Sequence, residues 1–220
     1  GPEIAVASTK AFLAQITAAY LLGLYLAQLN KKLFSGQIKD ILADLGAIPG
    51  KIEEILAAKD QVKELARSMA DATSVLFLGR NVGYPVAMEG ALKLKELAYI
   101  HAEGFAAGEL KHGPIALIDD GQPVFVVMPS PLDRHSLHAK VVSNIQEVRA
   151  RGARTFAVAE RGDAAVRGQA EVVFEVPETQ PMLMPLLTTV PLQIFALELA
   201  TAKGYDVDQP RNLAKSVTVE

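Results

Sequence analysis

The run Ser74 to Gly79, "SVLFLG", decides the fold. It is short, almost wholly apolar, and closed by the glycine and asparagine of "GRN", so it reads as a strand buried on both faces. Three later runs repeat its character: "PVFVVM" (123 to 128), "TFAVA" (155 to 159) and "EVVFEV" (171 to 176), each bounded by Gly, Pro, Asp or Asn. A strand that is polar on one side would alternate; these do not, which is the pattern of a parallel sheet covered on both faces. Helical periodicity occupies the intervals, at Tyr84 to about Ala98, Ser136 to Ala150 and Met184 to Lys203. A further extended piece, "YIHAEGF" (99 to 105), supplies a fifth strand. Strands alternating with helices predict an α/β fold, a three-layer doubly wound sheet of about five parallel strands.

Upstream of that sheet the period is helical throughout. Ala7 to Leu29 forms one long helix with Ser8 or Thr9 as its cap and lysines at its end. Two more follow, Gly36 to Leu45 and Lys51 to Ala70, divided by the punctuation "GAIPG". The expected division is therefore a helical segment at 1–70 and an α/β domain at 71–220 that ends in a tail. "PEIAVASTKAFLAQITAAYLLGLYLAQLNK" from Pro2 also parallels "PETQPMLMPLLTTVPLQIFALELATAKG" from Pro177: a Pro-Glu pair, a short loop, then a long apolar helix. If that repeat is real, residues 1–70 close an earlier copy of the same domain whose strands lie upstream of Gly1.

Composition bounds the function. A chain of 220 residues, 50% hydrophobic and 21% charged, buries a full domain core. Its net charge of −3, with both signs interspersed, offers no electrostatic footprint for nucleic acid or an anionic membrane. Without cysteine there is no disulfide, thiolate metal site or thiol nucleophile, which fits a reducing compartment. The first residues lack a signal peptide, and no charge-free apolar run of about 18 residues is expected, so the cytoplasm is the default location.

The chemistry concentrates in "KLKELAYIHAEGFAAGELKHGPIALI", Lys93 to Ile118. Lys93 and Glu96 are three apart on one helix and share a face, so the cation can keep the carboxylate ionised and placed for proton transfer. The same spacing also serves ordinary exposed ion pairs. His112, before a Gly-Pro turn, is a loop histidine able to exchange a proton near neutral pH. His101 falls on a strand and reads as structural. His135 and His138 have metal-ligand spacing but no evident third ligand, so a solvated helix start is the simpler reading. The turns "LGRNVGYP" and "MPSPLDRHS" fit neither the dinucleotide fingerprint nor a P-loop, and Pro85 removes an amide donor. A phosphate grip is therefore expected outside these turns.

"GPEIAVASTKAF", "AMEGALKLKELAYIHAEGFAAGELKHGPIALI" and "QPRNLAKSVTVE" together resemble the carboxyl-terminal part of the isomerising glutamine:fructose-6-phosphate aminotransferases, the glucosamine-6-phosphate synthases. The resemblance runs from the first residue to the last. It implies a flavodoxin-like sugar isomerase (SIS) domain preceded by the end of another. It also implies no cofactor, and a homodimer acting on fructose 6-phosphate to give glucosamine 6-phosphate. The family's glutaminase domain and the Ser/Thr-rich phosphate loop of its first sugar isomerase domain are absent from this sequence, so part of a site is expected. In the roles that the resemblance implies, Glu96 shuttles a proton between C1 and C2 of the sugar imine and Lys93 holds it charged. His112 opens the sugar ring in a neighbouring subunit's site. Lys215 forms the Schiff base, and Val6 and Ala214 touch the sugar through their backbones. The alternatives are a regulatory module that binds sugar phosphate without catalysis, and a sugar-phosphate deaminase or isomerase that uses free ammonia.

Overall fold

In a computed structural model that describes residues 3–132 and 137–215, five strands form one sheet. They are β1 (Ser74–Gly79), β2 (His101–Ala106), β3 (Pro123–Val127), β4 (Arg154–Glu160) and β5 (Val172–Val176). All neighbours are parallel and the spatial order is β2-β1-β3-β4-β5. The four apolar runs are strands, and the fifth strand begins two residues later than "YIHAEGF" suggested. The chain steps one way from β1 to β2 and the other way from β1 to β3, so the switch point of the sheet lies between β1 and β3.

Each strand sends alternate residues into two cores. Val75, Phe77, Phe125, Val127, Phe156, Val158, Phe174 and Val176 face the side covered by α4 (Gly83–Lys93) and α6 (Met184–Ala202). Leu76, Leu78, Val124, Val126, Ala157 and Ala159 face the side covered by α5 (Leu137–Arg149). Phe125 is the hub of the larger core, with ring centroids of Phe195 at 4.6 Å, Phe77 at 5.1 Å, Phe156 at 5.2 Å and Phe174 at 6.3 Å. Two close approaches need glycine. A Cβ on Gly79 would lie 2.1 Å from the carbonyl oxygen of Gly83, where β1 turns into α4, and one on Gly104 would lie 2.8 Å from the Cα of Met88, where α4 crosses β2.

The helical segment departs from expectation in two places. "GAIPG" does not divide it: α2 runs unbroken from Ser35 to Ala57 with Pro49 inside. Ile48 and Ile55, on either side of the proline, are both buried in the larger core, and that shared packing outweighs one missing amide donor on an exposed position. The break falls instead at Ala58 and Lys59, before α3 (Asp60–Ser68). The first helix, α1, begins at Lys10 and ends at Leu29; Thr9 occupies the cap position but its side chain makes no capping hydrogen bond.

The expectation of no long charge-free run is also overturned. Lys10–Leu29 and Pro181–Ala202 are both long and apolar enough to cross a membrane by length and composition. Scattered polar residues such as Gln15 and Thr17 hide the first run from a reading by eye, although residues 11–30 carry no charge. The most apolar window of the second is 78% buried, as befits a core helix, while only 6% of the first is covered. Leu21, Leu22, Tyr25, Leu26 and Leu29 stand exposed along α1.

Because four rings surround Phe125, truncating it leaves a cavity that the sheet cannot collapse to fill. Phe125→Ala is expected to cost about 3–5 kcal/mol, seen as a lower urea midpoint with an unchanged slope. A loss below about 1 kcal/mol would show that the ring cluster is not the centre of the core.

Candidate functional site

The site begins at the carboxyl end of α4. Lys93 is 1% exposed, and a buried ammonium needs compensation. Two carboxylates supply it. The Lys93 amine donates a hydrogen bond to Glu96 Oε2 and lies 3.5 Å from Glu89 Oε1. Glu89 stands one helical turn before Lys93 and is itself only 7% exposed. Its Oε1 has no hydrogen-bond partner among the described residues, so the contact with Lys93 is ionic. Burial pushes the Glu89 carboxyl above the usual carboxylate range, against the pull of Lys93.

Glu96 stands three residues after Lys93, where the helix changes pitch. Leu94–Ala98 form a π turn continuing α4, which ends when Tyr99 takes a left-handed conformation with φ 55°. Such wider turns are recurrent at functional sites. Glu96 keeps part of its side chain in solvent while Lys93 does not.

Beyond Tyr99 the far end of the chain arrives. The backbone N–H of Arg211 donates to the Tyr99 hydroxyl at 2.8 Å, the Arg211 guanidinium lies 4.2 Å over the Tyr99 ring, and Tyr205 packs 4.7 Å from it. Arg211–Leu213 thereby wall an open cleft of about 440 Å³ whose other side carries Glu96 and Tyr99. The amino-terminal segment closes on the same tail: Val6 N–H donates to the Asp208 carbonyl at 3.0 Å, and Lys215 Nζ meets Glu3 Oε2 at 2.5 Å. Lys215 holds the Glu3 carboxyl below its usual range.

Of the residues singled out in the sequence, the fold brings Lys93 and Glu96 together and sets the tail beside them. The Lys215 amine is engaged by Glu3, so attack on a carbonyl requires that contact to open. Val6 spends its N–H on Asp208, and Ala214 is exposed. His112 stands apart at the end of a 3-10 turn, 73% exposed, with Nδ1 2.7 Å from Glu109 Oε2. His101 is on β2 and exposed, 3.1 Å from Glu103. His138 pairs with the buried Asp163 at 2.6 Å, close to the carboxyl ends of β3 and β4, where Ser130 donates to Glu160 at 2.9 Å. His135 lies outside the described residues, and no cluster of three metal-binding side chains occurs among those described. The first turn after β1 is a poor anion cradle, as its sequence suggested. The amides of Gly83 and Tyr84 are already given to the carbonyls of Arg80 and Asn81, at 2.9 and 3.1 Å.

Glu89 is the residue that sequence reading missed. Its signal was present in "EGALKLKE", where Glu89, Lys93 and Glu96 fall four and three apart on one stripe.

The SIS domain family model matches residues 68–203. The isomerizing glutamine–fructose-6-phosphate aminotransferase of Corynebacterium efficiens is 69% identical over the whole of this chain, which covers 35% of that protein. The enzyme of the same name from Mycobacterium tuberculosis is 60% identical with the same coverage. The chain thus spans about a third of the length of these relatives. Among solved structures, the carboxyl-terminal domain of glucosamine-fructose-6-phosphate aminotransferase from Francisella tularensis matches with a TM-score of 0.87 and 38% identity, covering 96% of this chain and 58% of that one.

A carboxyl raised in the folded state above its ordinary value of 4.5 binds its proton more tightly than in the unfolded chain. Its contribution to stability is complete below that ordinary value and is lost as pH rises through the folded-state value. Glu89→Gln is therefore expected to flatten the fall in urea midpoint that sets in as pH rises above about 4.5. Parallel curves for the two proteins across that range would remove Glu89 from the account.

Proposed function

Because the chain belongs to the SIS domain family, we propose that it supplies the isomerase part-site of a glutamine-dependent fructose-6-phosphate aminotransferase. One observation carries the reading: a buried lysine clamps a partly exposed carboxylate at the rim of a cleft whose opposite wall is the tail that bears Lys215. In the proposed reaction the Lys215 amine adds to the C2 carbonyl of open-chain fructose 6-phosphate and water leaves, giving an imine. The imine draws electrons from C1. Ammonia then adds to that imine and expels the lysine as the free amine, leaving a C2=NH imine. Glu96 takes a proton from C1 to give the enolamine and returns it to C2 as the C1 hydroxyl becomes the aldehyde, so that the product is glucosamine 6-phosphate. Lys93 holds Glu96 in position through both transfers, and Glu89 keeps Lys93 in place. Val6 and Ala214 would meet the sugar through their backbones.

In the same proposal, residues 1–70 close a preceding sugar isomerase domain that holds the phosphate, a glutaminase domain provides the ammonia, and residues 71–220 are the second sugar isomerase domain. The enzyme would work in the cytoplasm as a homodimer. An exposed His112, away from the cleft of its own chain, fits a residue that reaches a neighbour's sugar and opens its ring.

The test is to restore the upstream sugar isomerase domain, add fructose 6-phosphate, reduce with borohydride and locate the adduct by mass spectrometry. An adduct on Lys215 is expected, and Lys215→Ala is expected to lose at least a hundredfold in turnover while sugar-phosphate affinity changes little. No adduct there, with near-normal isomerisation by the variant, would sink the assignment. Sedimentation of the same protein at micromolar concentration is expected to give a dimer, and a monomer throughout would exclude the role of His112 in trans.

A further inference from the structure

On the α5 side of the sheet, the carboxyl ends of β1 and β2 open into a second cavity, of about 240 Å³. Its lining is polar and unevenly charged. Arg80 enters from the end of β1, Lys111 from the loop after β2, and Lys140 from the first turn of α5; Glu147, about two turns further along the same face of α5, is the one carboxylate among the described residues of the lining.

That carboxylate is already used. Glu147 Oε1 pairs with Lys111 at 2.9 Å, and its Oε2 accepts from Asn144 Nδ2 at 3.3 Å. Asn144, 4% exposed, in turn accepts from Arg80 Nε through its Oδ1 at 3.3 Å. The buried amide therefore fixes the guanidinium by one edge and leaves its forked end free. Gly108 sits beside that end, where a Cβ would lie 3.5 Å from Nη1, an ordinary contact distance. Among the described residues neither Arg80 nor Lys140 has a carboxylate partner, and both face one small cavity. The described lining carries three cations against one carboxylate, so repulsion prevails among the cations, and the half-buried guanidinium is also partly stripped of water. A neutral or cationic ligand would leave that repulsion in place, whereas an anion of charge near −2 removes it.

We propose that this cavity is a phosphate-binding site built from side chains, taking inorganic phosphate or the phosphate of a small monoester. The Arg80 fork matches two phosphate oxygens, Lys140 provides a point charge for a third, and the Ser143 hydroxyl can donate another bond. The volume exceeds that of the anion and leaves room for a short organic portion. Its place, outside the carboxyl ends of strands next to the switch point, is where ligands of open α/β sheets gather. The site does not use the strand-to-helix amides, which Arg80 and Asn81 have claimed. It also lies across the sheet from Lys93 and Glu96, so it stands or falls apart from the isomerase reading.

The test titrates the chain with potassium phosphate at constant ionic strength, with chloride as the balancing salt, and follows backbone amide chemical shifts. Saturable shifts confined to Arg80, Ala107–Lys111 and the first two turns of α5 are expected. Arg80→Gln and Lys140→Gln should each weaken the apparent affinity at least fivefold, while Lys39→Gln on α2 leaves it unchanged. Repeating the titration with glycerol 3-phosphate separates the two sources of the group: tighter binding than orthophosphate assigns the site to a monoester, equal or weaker binding to the free ion. Absence of saturation, or shifts elsewhere that both variants leave intact, would overturn the proposal. Amide spectra of each variant check that it is folded before affinities are compared.

Discussion

A lysine amine sealed from solvent cannot remain charged there without carboxylates, and at Lys93 this requirement shapes everything around it. Glu89 answers it from the preceding turn of α4 and Glu96 from the following one. The second carboxylate lies within the change of pitch at Leu94–Ala98, and that segment ends in the left-handed Tyr99. Tyr99 then becomes the anchor for Arg211 and Tyr205. A single buried charge thus links the core of the helix layer to the wall of the cleft. Replacing one partner would strand the other charges in a dry setting, which costs more than the pair contributes when whole.

The two faces of the sheet do different work. The face under α4 and α6 is packed around aromatic rings and is rigid enough to hold Lys93, Glu89 and Glu96 in register. The face under α5 is packed with aliphatic side chains in its centre and opens toward the strand ends, where Arg80, Asn144 and Glu147 form a short polar chain. The parallel arrangement places every strand end on the same side of the molecule, so loops from both faces reach one rim.

How much of this could be read beforehand follows from what each residue answers to. The strands were legible because burial on both faces leaves continuous apolar runs, as at Phe77 and Phe125, that helices of this length do not need. Pro49 misled because its cost is local while the gain that retains it, the packing of Ile48 and Ile55 against the larger core, is tertiary. Lys93 and Glu96 were visible as a spaced pair, yet spacing does not show depth, and Glu89 went unnoticed for the same reason. Lys215 carried no local signal at all. A lysine in a polar tail looks like any other until Glu3, far away in the chain, is brought beside it, and only the resemblance of the whole tail drew notice to it.

That last contact has a consequence for the order in which the parts come into being. Glu3 and Lys215 are separated by 212 positions, so at about 5–20 residues per second a ribosome takes roughly 10–40 s to make the second after the first. Every residue of the sheet, the ring cluster and the Lys93 clamp is made before Lys215. The contact between tail and amino-terminal segment is among the last that the chain can form, and a chain ending a few residues short would keep the residues of the core while lacking those that join its two ends beside the cleft.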